Sequence, residues 1–276
     1  MRIIKSLIVV VFLTVTILFS VNYYNEKVVK NNSAPTIEFG KKIIEVSIED
    51  KEEVLLEDVI AEDKEDGDIT ANIVIESISK FVDKKNHISN ITYAVSDSDN
   101  NVVKKTRQIR YKDYEKPRFT LSQPLCFDVG SELNVPDVLG AVDGVDGDIS
   151  DKVKILSSLA STRIAGSYVI TAQVTNSLGA TSTIKATVTI RQGNNLNPVI
   201  KLKENIVYLK AGKSFDPYKY IDSVKDSKGD KLSNDLVKVI KSSVNMNKAG
   251  SYTVEYAVNY EQENEEITYL VVIVEE

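Results

Sequence analysis

Two segments of the chain, residues 165–190 and 249–274, match each other over 26 positions without a gap. They read AGSYVITAQVTNSLGATSTIKATVTI and AGSYTVEYAVNYEQENEEITYLVVIV. In both, apolar residues alternate with polar ones around a polar middle, and a period of two is typical of a strand with one buried face. Each segment therefore predicts a strand–turn–strand hairpin. The predicted inward positions are Tyr168, Ile170, Ala172, Val174, Ile184, Ala186, Val188 and Ile190, and then Tyr252, Val254, Tyr256, Val258, Leu270, Val272 and Val274.

A fainter copy lies upstream, over residues 88–111, where Ile91, Tyr93 and Val95 keep the same phase before a polar SDSDNN turn. A proline also opens each of three similar segments, PTIEF, PRFTL and PVIKL, at spacings of 82 and 81 residues. Short strands broken by Gly, Asn and Asp in modules of about 80 residues predict an all-β chain of tandem sandwiches. The predicted modules are residues 35–116, which are divergent, residues 117–197 and residues 198–276.

The AGSY segment before a closing hairpin, preceded by Asp-Gly-Asp-Ile-(Ser/Thr) and introduced by a proline, resembles the bacterial immunoglobulin-like repeats. These repeats occur in tandem in surface proteins of Gram-positive bacteria and in some pesticidal crystal proteins. The resemblance covers residues 35–276; it is strong in the second module, good in the third and partial in the first. It implies three immunoglobulin-like β-sandwiches in an extended exported protein, but no particular ligand.

The resemblance also makes Tyr168 and Tyr252 tyrosine-corner residues, whose hydroxyls bond to backbone a few residues upstream. The first module departs from this pattern. His87 falls where Gly166 and Gly250 stand, and a serine replaces the tyrosine. We therefore expect its corner to close differently.

The amino terminus is apolar from Leu7 to Val21 after a basic start. Fifteen residues are many for a signal-peptide core and few for a membrane span. If Lys5 snorkels, the apolar run extends over residues 3–24, and Leu18 does not fit a cleavage site after Ser20. We expect residues 1–24 to form an uncleaved transmembrane helix and residues 25–34 a polar stalk. The predicted protein is then a single-pass cell-membrane protein with an extracellular C-terminal region; the alternative is a secreted protein.

Asp-Gly-Asp-Ile-(Thr/Ser) occurs twice, at residues 66–70 and 146–150. Calcium takes six to eight oxygen ligands, so such acids raise the question of a metal site. With either glycine at the glycine position of an EF-hand loop, however, the twelfth ligand would be Ile73 or Lys154. A glycine with positive φ and aspartates bonded to backbone N–H groups instead predict a tight turn into a strand that starts at Ile69 or Ile149. We expect a copied turn and no metal site; calcium binding is the alternative. The acids are Asp63, Asp66, Asp68, Asp143, Asp146 and Asp148.

Few residues are suited to catalysis. The chain has one histidine, His87, one cysteine, Cys126, and no tryptophan. These numbers exclude an intrachain disulfide and a three-histidine metal site. We expect Cys126, in the apolar stretch PLCFDV, to be a buried small hydrophobe. We predict no enzyme, no catalytic or cofactor-binding residues, no cofactor and no small-molecule substrate.

The net charge of −6, without a basic stripe, argues against nucleic acid as a partner. These observations together predict a non-enzymatic, membrane-anchored, extracellular repeat protein that acts as a cell-surface spacer or as an adhesion and interaction rod. Three sandwiches in line would reach on the order of 100 Å. The predicted partners are the membrane, through the amino-terminal helix, and a protein or polysaccharide of the cell envelope. The alternatives are a secreted binding protein released by signal peptidase and a carbohydrate-binding accessory module.

Overall fold

The computed structural model describes residues 2–24, 33–132, 135–157, 164–193, 198–260 and 264–276. In the first of these segments the burial of side chains is described from Val11 onward. The predicted stalk over residues 25–34 lies almost wholly outside the described residues. By compactness the chain divides into two units, Met1–Lys112 and Asp113–Glu276.

The amino-terminal helix α1 spans Arg2–Tyr24. Among the described residues, no helix is both long and apolar enough to cross a membrane. The prediction of a single-pass membrane protein is therefore wrong.

Residues 35–112, called repeat 1, form two antiparallel-rich sheets. A three-stranded sheet has the order β1-β3-β4, and a four-stranded sheet has the order β2-β7-β6-β5. The elements are β1 Thr36–Phe39, β2 Ile43–Val46, the one-turn helix α2 Glu52–Leu55, β3 Val59–Asp63, β4 Gly67–Asp68, β5 Val74–Ile78, β6 Ile88–Ser96 and β7 Val102–Tyr111.

Residues 117–191, called repeat 2, show the same arrangement, with sheets β11-β10-β8 and β12-β13-β14-β9. The elements are β8 Arg118–Leu121, β9 Cys126–Asp128, the one-turn helix α3 Val135–Val138, β10 Leu139–Asp143, β11 Gly147–Asp148, β12 Lys154–Ile155, β13 Gly166–Thr175 and β14 Thr181–Arg191.

Residues 198–275, called repeat 3, repeat it again, with sheets β15-β17-β18 and β16-β21-β20-β19. The elements are β15 Val199–Leu202, β16 Ile206–Lys210, β17 Ile221–Lys225, β18 Lys231–Leu232, β19 Val237–Ser242, β20 Gly250–Tyr260 and β21 Asn264–Glu275. The predicted all-β architecture is confirmed for residues 35–276. The division into three independent modules stays a prediction, because repeats 2 and 3 belong to one compact unit.

The predicted hairpins are present, and their registers agree with the alternation. Strand β13 pairs with β14 from Gly166↔Ile190 to Thr175↔Thr181, and β20 pairs with β21 over the equivalent length. The predicted start of a strand at Ile69 or Ile149 is wrong. No strand starts at Ile69 or Ile149; the short strands β4 and β11 end one residue earlier, and single 3-10 turns follow at Thr70–Asn72 and Ser150–Lys152.

The tyrosine corners form as the resemblance implies. The Tyr168 hydroxyl donates to the carbonyl of Ile164 at 3.0 Å, and the Tyr252 hydroxyl donates to the carbonyl of Lys248 at 2.8 Å. Each ring lies over the glycine two residues before it; a Cβ on Gly166 would stand 3.3 Å from the Tyr168 hydroxyl. The Tyr168 ring thus leaves little room for a side chain at Gly166.

Repeat 1 closes its corner with aromatic rings instead. The ring of His87 lies 5.7 Å from that of Phe81, which meets Tyr111 edge-on at 6.2 Å. The serine that replaces the corner tyrosine, Ser89, is fully buried. The expectation of a different closure is confirmed, and His87 takes part in it with a positive φ of 53°.

We expect Tyr252→Phe to lower the free energy of unfolding by about 1 kcal/mol, because it removes one hydrogen bond at little cost in packing. We expect Val254→Ala to lower it by about 1–3 kcal/mol, because Val254 is completely buried in the core of repeat 3. Urea unfolding of the full chain, followed by tyrosine fluorescence, measures both. Unchanged stability in both variants would contradict the assigned corner and strand phase.

Candidate functional site

The Asp-Gly-Asp turn of repeat 2 is held by carboxylates that accept hydrogen bonds from the chain. Asp143 Oδ1 accepts the N–H groups of Val145 and Asp146 at 3.0 and 3.1 Å. Asp148 Oδ1 accepts the N–H of Ser150 at 3.0 Å. Gly147 between them has a φ of 70°, and a Cβ there would meet no neighbour within 4 Å. Backbone conformation, and not space, therefore requires a glycine at this position.

Asp146, the middle acid, reaches across to the turn of the β13–β14 hairpin. Its carboxylate accepts the N–H of Ser177 at 2.8 Å and the Ser177 hydroxyl at 2.5 Å. Lys152 Nζ donates to the same carboxylate at 2.8 Å. The turn is thus fastened to the hairpin that carries the tyrosine corner.

Repeat 1 uses the same bonds at equivalent residues. Asp63 Oδ1 accepts two N–H groups, from Glu65 at 2.8 Å and Asp66 at 2.9 Å. Asp66 accepts the N–H and the hydroxyl of Ser98 at 2.7 and 2.8 Å, and Asp68 accepts the N–H of Thr70 at 2.9 Å. The predicted role of these acids in a copied tight turn is confirmed.

Repeat 3 keeps only part of this hydrogen-bonded turn. Asp226 Oδ1 accepts the N–H groups of Lys228 and Asp230 at 2.9 and 2.8 Å. Gly229 has a positive φ of 92°, as in the other turns. The shorter turn shows that the first aspartate and the glycine suffice to reverse the chain.

The hydrogen bonds lower the pKa values of these acids. The N–H of Asp66 does most to hold the pKa of Asp63 below its ordinary value of 3.8, and the hydroxyl of Ser150 does so for the pKa of Asp148. Burial by itself raises the pKa of Asp146, but the bonds from Lys152 and Ser177 outweigh burial, so this pKa also lies below 3.8. All three carboxylates are therefore ionised at neutral pH.

The carboxylate oxygens in these turns are thus used as acceptors for the chain itself. Among the residues that the structure describes, no group of three or more His, Cys, Asp or Glu side chains is arranged to hold a metal ion. Asp63 Oδ2 is buried, and no described residue donates a hydrogen bond to it. The expectation that the fold needs no metal stays a prediction.

A buried polar cluster joins the same turn of repeat 2 to the segment that precedes β8. Asn176 Nδ2 donates to the Tyr114 hydroxyl at 2.8 Å and lies 3.2 Å from both oxygens of Asp143. Its Oδ1 accepts the N–H of Ala180 at 2.9 Å. Burial, and then the nearby Asp143 carboxylate, raise the pKa of Tyr114, which stays a neutral donor.

The structure brings repeats 2 and 3 into direct contact, which the sequence reasoning missed. Tyr208 Oη accepts the N–H of Phe119 at 2.6 Å and lies 3.3 Å from the Phe119 carbonyl oxygen. Burial raises the pKa of Tyr208 to about 12, so the hydroxyl keeps its proton. The Arg118 guanidinium lies 5.0 Å from the Tyr208 ring centroid and pairs with Glu275 at 2.9 Å.

A second polar group and an apolar surface extend this contact. Arg191 forms ion pairs with Glu266 of repeat 3 and, at 3.0 Å, with Asp128 of its own repeat. Val271 is 2% exposed and belongs to the hydrophobic core of repeat 2, and Ile206 and Ile273 pack against that core. Strand β21 is therefore buried on both faces.

The sequence signal for this contact is the unbroken apolar run Tyr269–Val274. The equivalent strand β14 alternates strictly with threonine and lysine, whereas β21 is apolar on both faces. A strand buried on both faces reads as a continuous apolar run. The inward residues Leu270, Val272 and Val274 were predicted, but the outward residues of the same strand were not.

Cys126, the one cysteine of the chain, lies at the contact between repeats 2 and 3. Cys126 is half-buried, with Sγ 4.0 Å from the carbonyl oxygen of Ile267, and burial raises the pKa of its thiol to about 11. It is therefore a poor nucleophile at neutral pH. The prediction that Cys126 is a small apolar packing residue agrees with this position, although the side chain is less buried than expected.

Comparison with known proteins gives one sequence relative of limited extent. No family model matches the chain. Pesticidal crystal protein Cry22Aa of Bacillus thuringiensis is 35% identical over 124 residues, which are 44% of this chain and 16% of that protein. The chain thus matches less than a fifth of the length of this relative. The match is consistent with the resemblance drawn from the sequence.

Solved structures give weak likenesses. The M60 catalytic domain with two CBM51 domains of Clostridium perfringens ZmpB is 14% identical, at a TM-score of 0.25 over 87% of this chain and 30% of that one. The protocadherin gammaB4 extracellular domain is 14% identical, at a TM-score of 0.21 over 89% and 50%. Mouse cadherin-23 EC22-24 is 13% identical, at a TM-score of 0.19 over 88% and 99%. At such scores they support no conclusion about this chain.

We expect the fold to lose stability in acid. Because the pKa values of Asp63, Asp146 and Asp148 are lowered by folding, the stability that they contribute is present above pH 3.8 and is lost as the pH falls below it. Asp146→Asn should lower the free energy of unfolding at pH 7 by about 1–3 kcal/mol. It should also make the loss between pH 4 and pH 2 smaller than in the wild-type chain.

The matched control is Asp151→Asn, which removes an exposed charge from the same turn. Urea unfolding of the full chains at pH 7, 4 and 2 measures the effect. Equal losses in the two variants at pH 7 would show that the bonds from Asp146 to Ser177 and Lys152 do not stabilise the fold.

Proposed function

We propose that this chain is a non-catalytic interaction protein that presents the surfaces of tandem β-sandwiches to a protein or polysaccharide partner. The observation that supports this proposal best is the contact between repeats 2 and 3. Hydrogen bonds at Phe119, ion pairs at Arg191 and the shared core residue Val271 fix two sandwiches in one geometry. A fixed pair of sandwiches offers a surface that neither repeat forms alone.

The chemistry of the described side chains supports binding over catalysis. Cys126 has a raised pKa at the contact between repeats, and His87 is packed against Phe81. The acids of the two Asp-Gly-Asp turns are engaged with backbone N–H groups and serine or threonine hydroxyls. Each of these groups has a structural partner in place of a substrate.

The test is a binding measurement with a search for turnover. The immobilised full chain is titrated with purified cell-envelope proteins and polysaccharides, and each bound polymer is recovered and sized. We expect saturable binding of one class and recovery of that polymer intact. Val271→Ser, which loosens the contact between repeats, should weaken this binding more than Val169→Ser, which changes a valine that is 66% exposed.

Two results would overturn the proposal. Shortening of a bound polymer in proportion to time and protein concentration would indicate an enzyme. Saturable binding that is equal in both variants would show that the fixed pair of repeats plays no part in recognition.

A further inference from the structure

The first strand of each three-stranded sheet is an edge strand, with one side unpaired in its own sheet. In an antiparallel pair, the N–H and C=O of one residue point to the same side. Each of the three edge strands has one residue at an equivalent position of its register whose N–H and C=O point away from the sheet. These residues are Ile37, Phe119 and Ile200, opposite Ala61, Ala141 and Val224.

Repeats 1 and 2 each cover this outward position. In repeat 1, Lys105 Nζ donates to the carbonyl of Ile37 at 2.6 Å. In repeat 2, the hydroxyl of Tyr208 from repeat 3 accepts a hydrogen bond from the N–H of Phe119 and donates to the carbonyl of Phe119. In repeat 3, no side chain among the described residues bonds to the outward groups of Ile200. Unpaired edges of this kind are templates for another strand.

A groove of about 490 Å³ lies at this open edge, between β15 and the segment 122–124 of repeat 2. Ser122 and Pro124 of that segment offer no free N–H group to β15. Ser122 N–H donates to Val138 at 3.0 Å, Pro124 has no N–H, and the Pro124 carbonyl accepts from Cys126 at 2.8 Å. The wall therefore leaves the edge of β15 unpaired.

The groove is basic, although the chain is acidic. Three lysines line it, Lys201, Lys203 and Lys225, and none of its lining residues is an acid. Lys201 is paired with Asp222 at 3.2 Å, and Lys203 Nζ donates to a backbone carbonyl at 2.8 Å. Lys201 is exposed on β15, Lys203 is exposed just after the end of β15, beyond a bulge between Lys201 and Leu202, and β17 adds Lys225 opposite Val199.

We propose that the open edge of β15 binds an extended acidic segment of a partner protein, which adds to the sheet as a further strand. This proposal rests on the interaction function above and names its partner chemistry. About four residues of the partner, roughly 13 Å, would pair with β15. Backbone hydrogen bonds would hold the strand, and acidic side chains would lie beside Lys201 and Lys203.

An extended segment of a partner protein fits these features better than a flexible polyanion does. A polyanion needs only the lysines, whereas the groove also presents unpaired backbone groups and the apolar side chain of Val199, which is 57% exposed. An extended protein segment can meet the lysines with acidic side chains, Val199 with an apolar residue on the same face, and the unpaired groups with its backbone. A polyanion surface is therefore a distinct outcome of the test.

The probe is a fluorescein-labelled peptide of four Glu-Val pairs, titrated with the full chain by fluorescence anisotropy. Two further peptides carry N-methyl groups on every glutamate nitrogen or on every valine nitrogen. Because alternate residues face β15, we expect one methylated peptide to lose binding by about tenfold or more and the other to keep it. Lys203→Glu with Lys225→Glu should also weaken binding by about tenfold, whereas Lys185→Glu, an exposed site on β14, should not.

Each other outcome overturns the proposal. Equal binding of both methylated peptides, or equal competition by polyphosphate at matched charge, would identify a general polyanion surface. No binding of the parent peptide by a chain whose melting is unchanged would reject the edge site. If envelope partners still bind the Lys203 and Lys225 variant at full strength, the edge proposal fails while the interaction function stands.

Discussion

The constraint on which this structure depends is the open strand edge that each sandwich leaves in its three-stranded sheet. Unpaired backbone groups at an edge can pair with a further strand or with a side chain, and the repeats differ in what covers them. Repeat 1 uses its own Lys105, and repeat 2 uses Tyr208 of repeat 3. The Tyr208 hydroxyl thus places the contact between repeats 2 and 3 at the edge of the three-stranded sheet of repeat 2. In repeat 3, no described side chain bonds to the outward groups of Ile200.

The contact also explains why the outer face of strand β21 in repeat 3 is apolar. Val271 and Ile273 would be exposed apolar residues on an isolated sandwich, but they pack against the core of repeat 2. Arg118 and Arg191 place ion pairs around this apolar patch, with Glu275 and Glu266. Partly exposed pairs of this kind add little energy but fix orientation.

Much of the local structure could be predicted from the sequence. The strands β13, β14, β20 and β21 followed from an alternation that depends only on which residues face the core. The Asp-Gly-Asp turns followed from the side-chain chemistry of aspartate and the φ of glycine, which act within a few residues. The corner bonds of Tyr168 and Tyr252 likewise reach only four residues back.

The contact between repeats was not predicted, because its partners, Phe119 and Tyr208, are 89 residues apart and no local pattern marks them. The apolar run of β21 contains the signal, but it does not say which surface covers it. The membrane anchor was predicted from apolar residues and from an extension that relied on Lys5, and it was wrong. The predicted line of three separate modules also gave no reason to expect repeats 2 and 3 in one compact unit.

Repeats 2 and 3 are held in one fixed geometry by the contact at Phe119, Arg191 and Val271. This geometry is tested most directly by double electron–electron resonance between spin labels at residues 185 and 241, both exposed, in a full chain with Cys126→Ser. We expect one narrow distance distribution, which broadens in Val271→Ser and stays narrow in Val169→Ser. A distribution that is broad in the otherwise unchanged chain, and no broader in Val271→Ser, would contradict it.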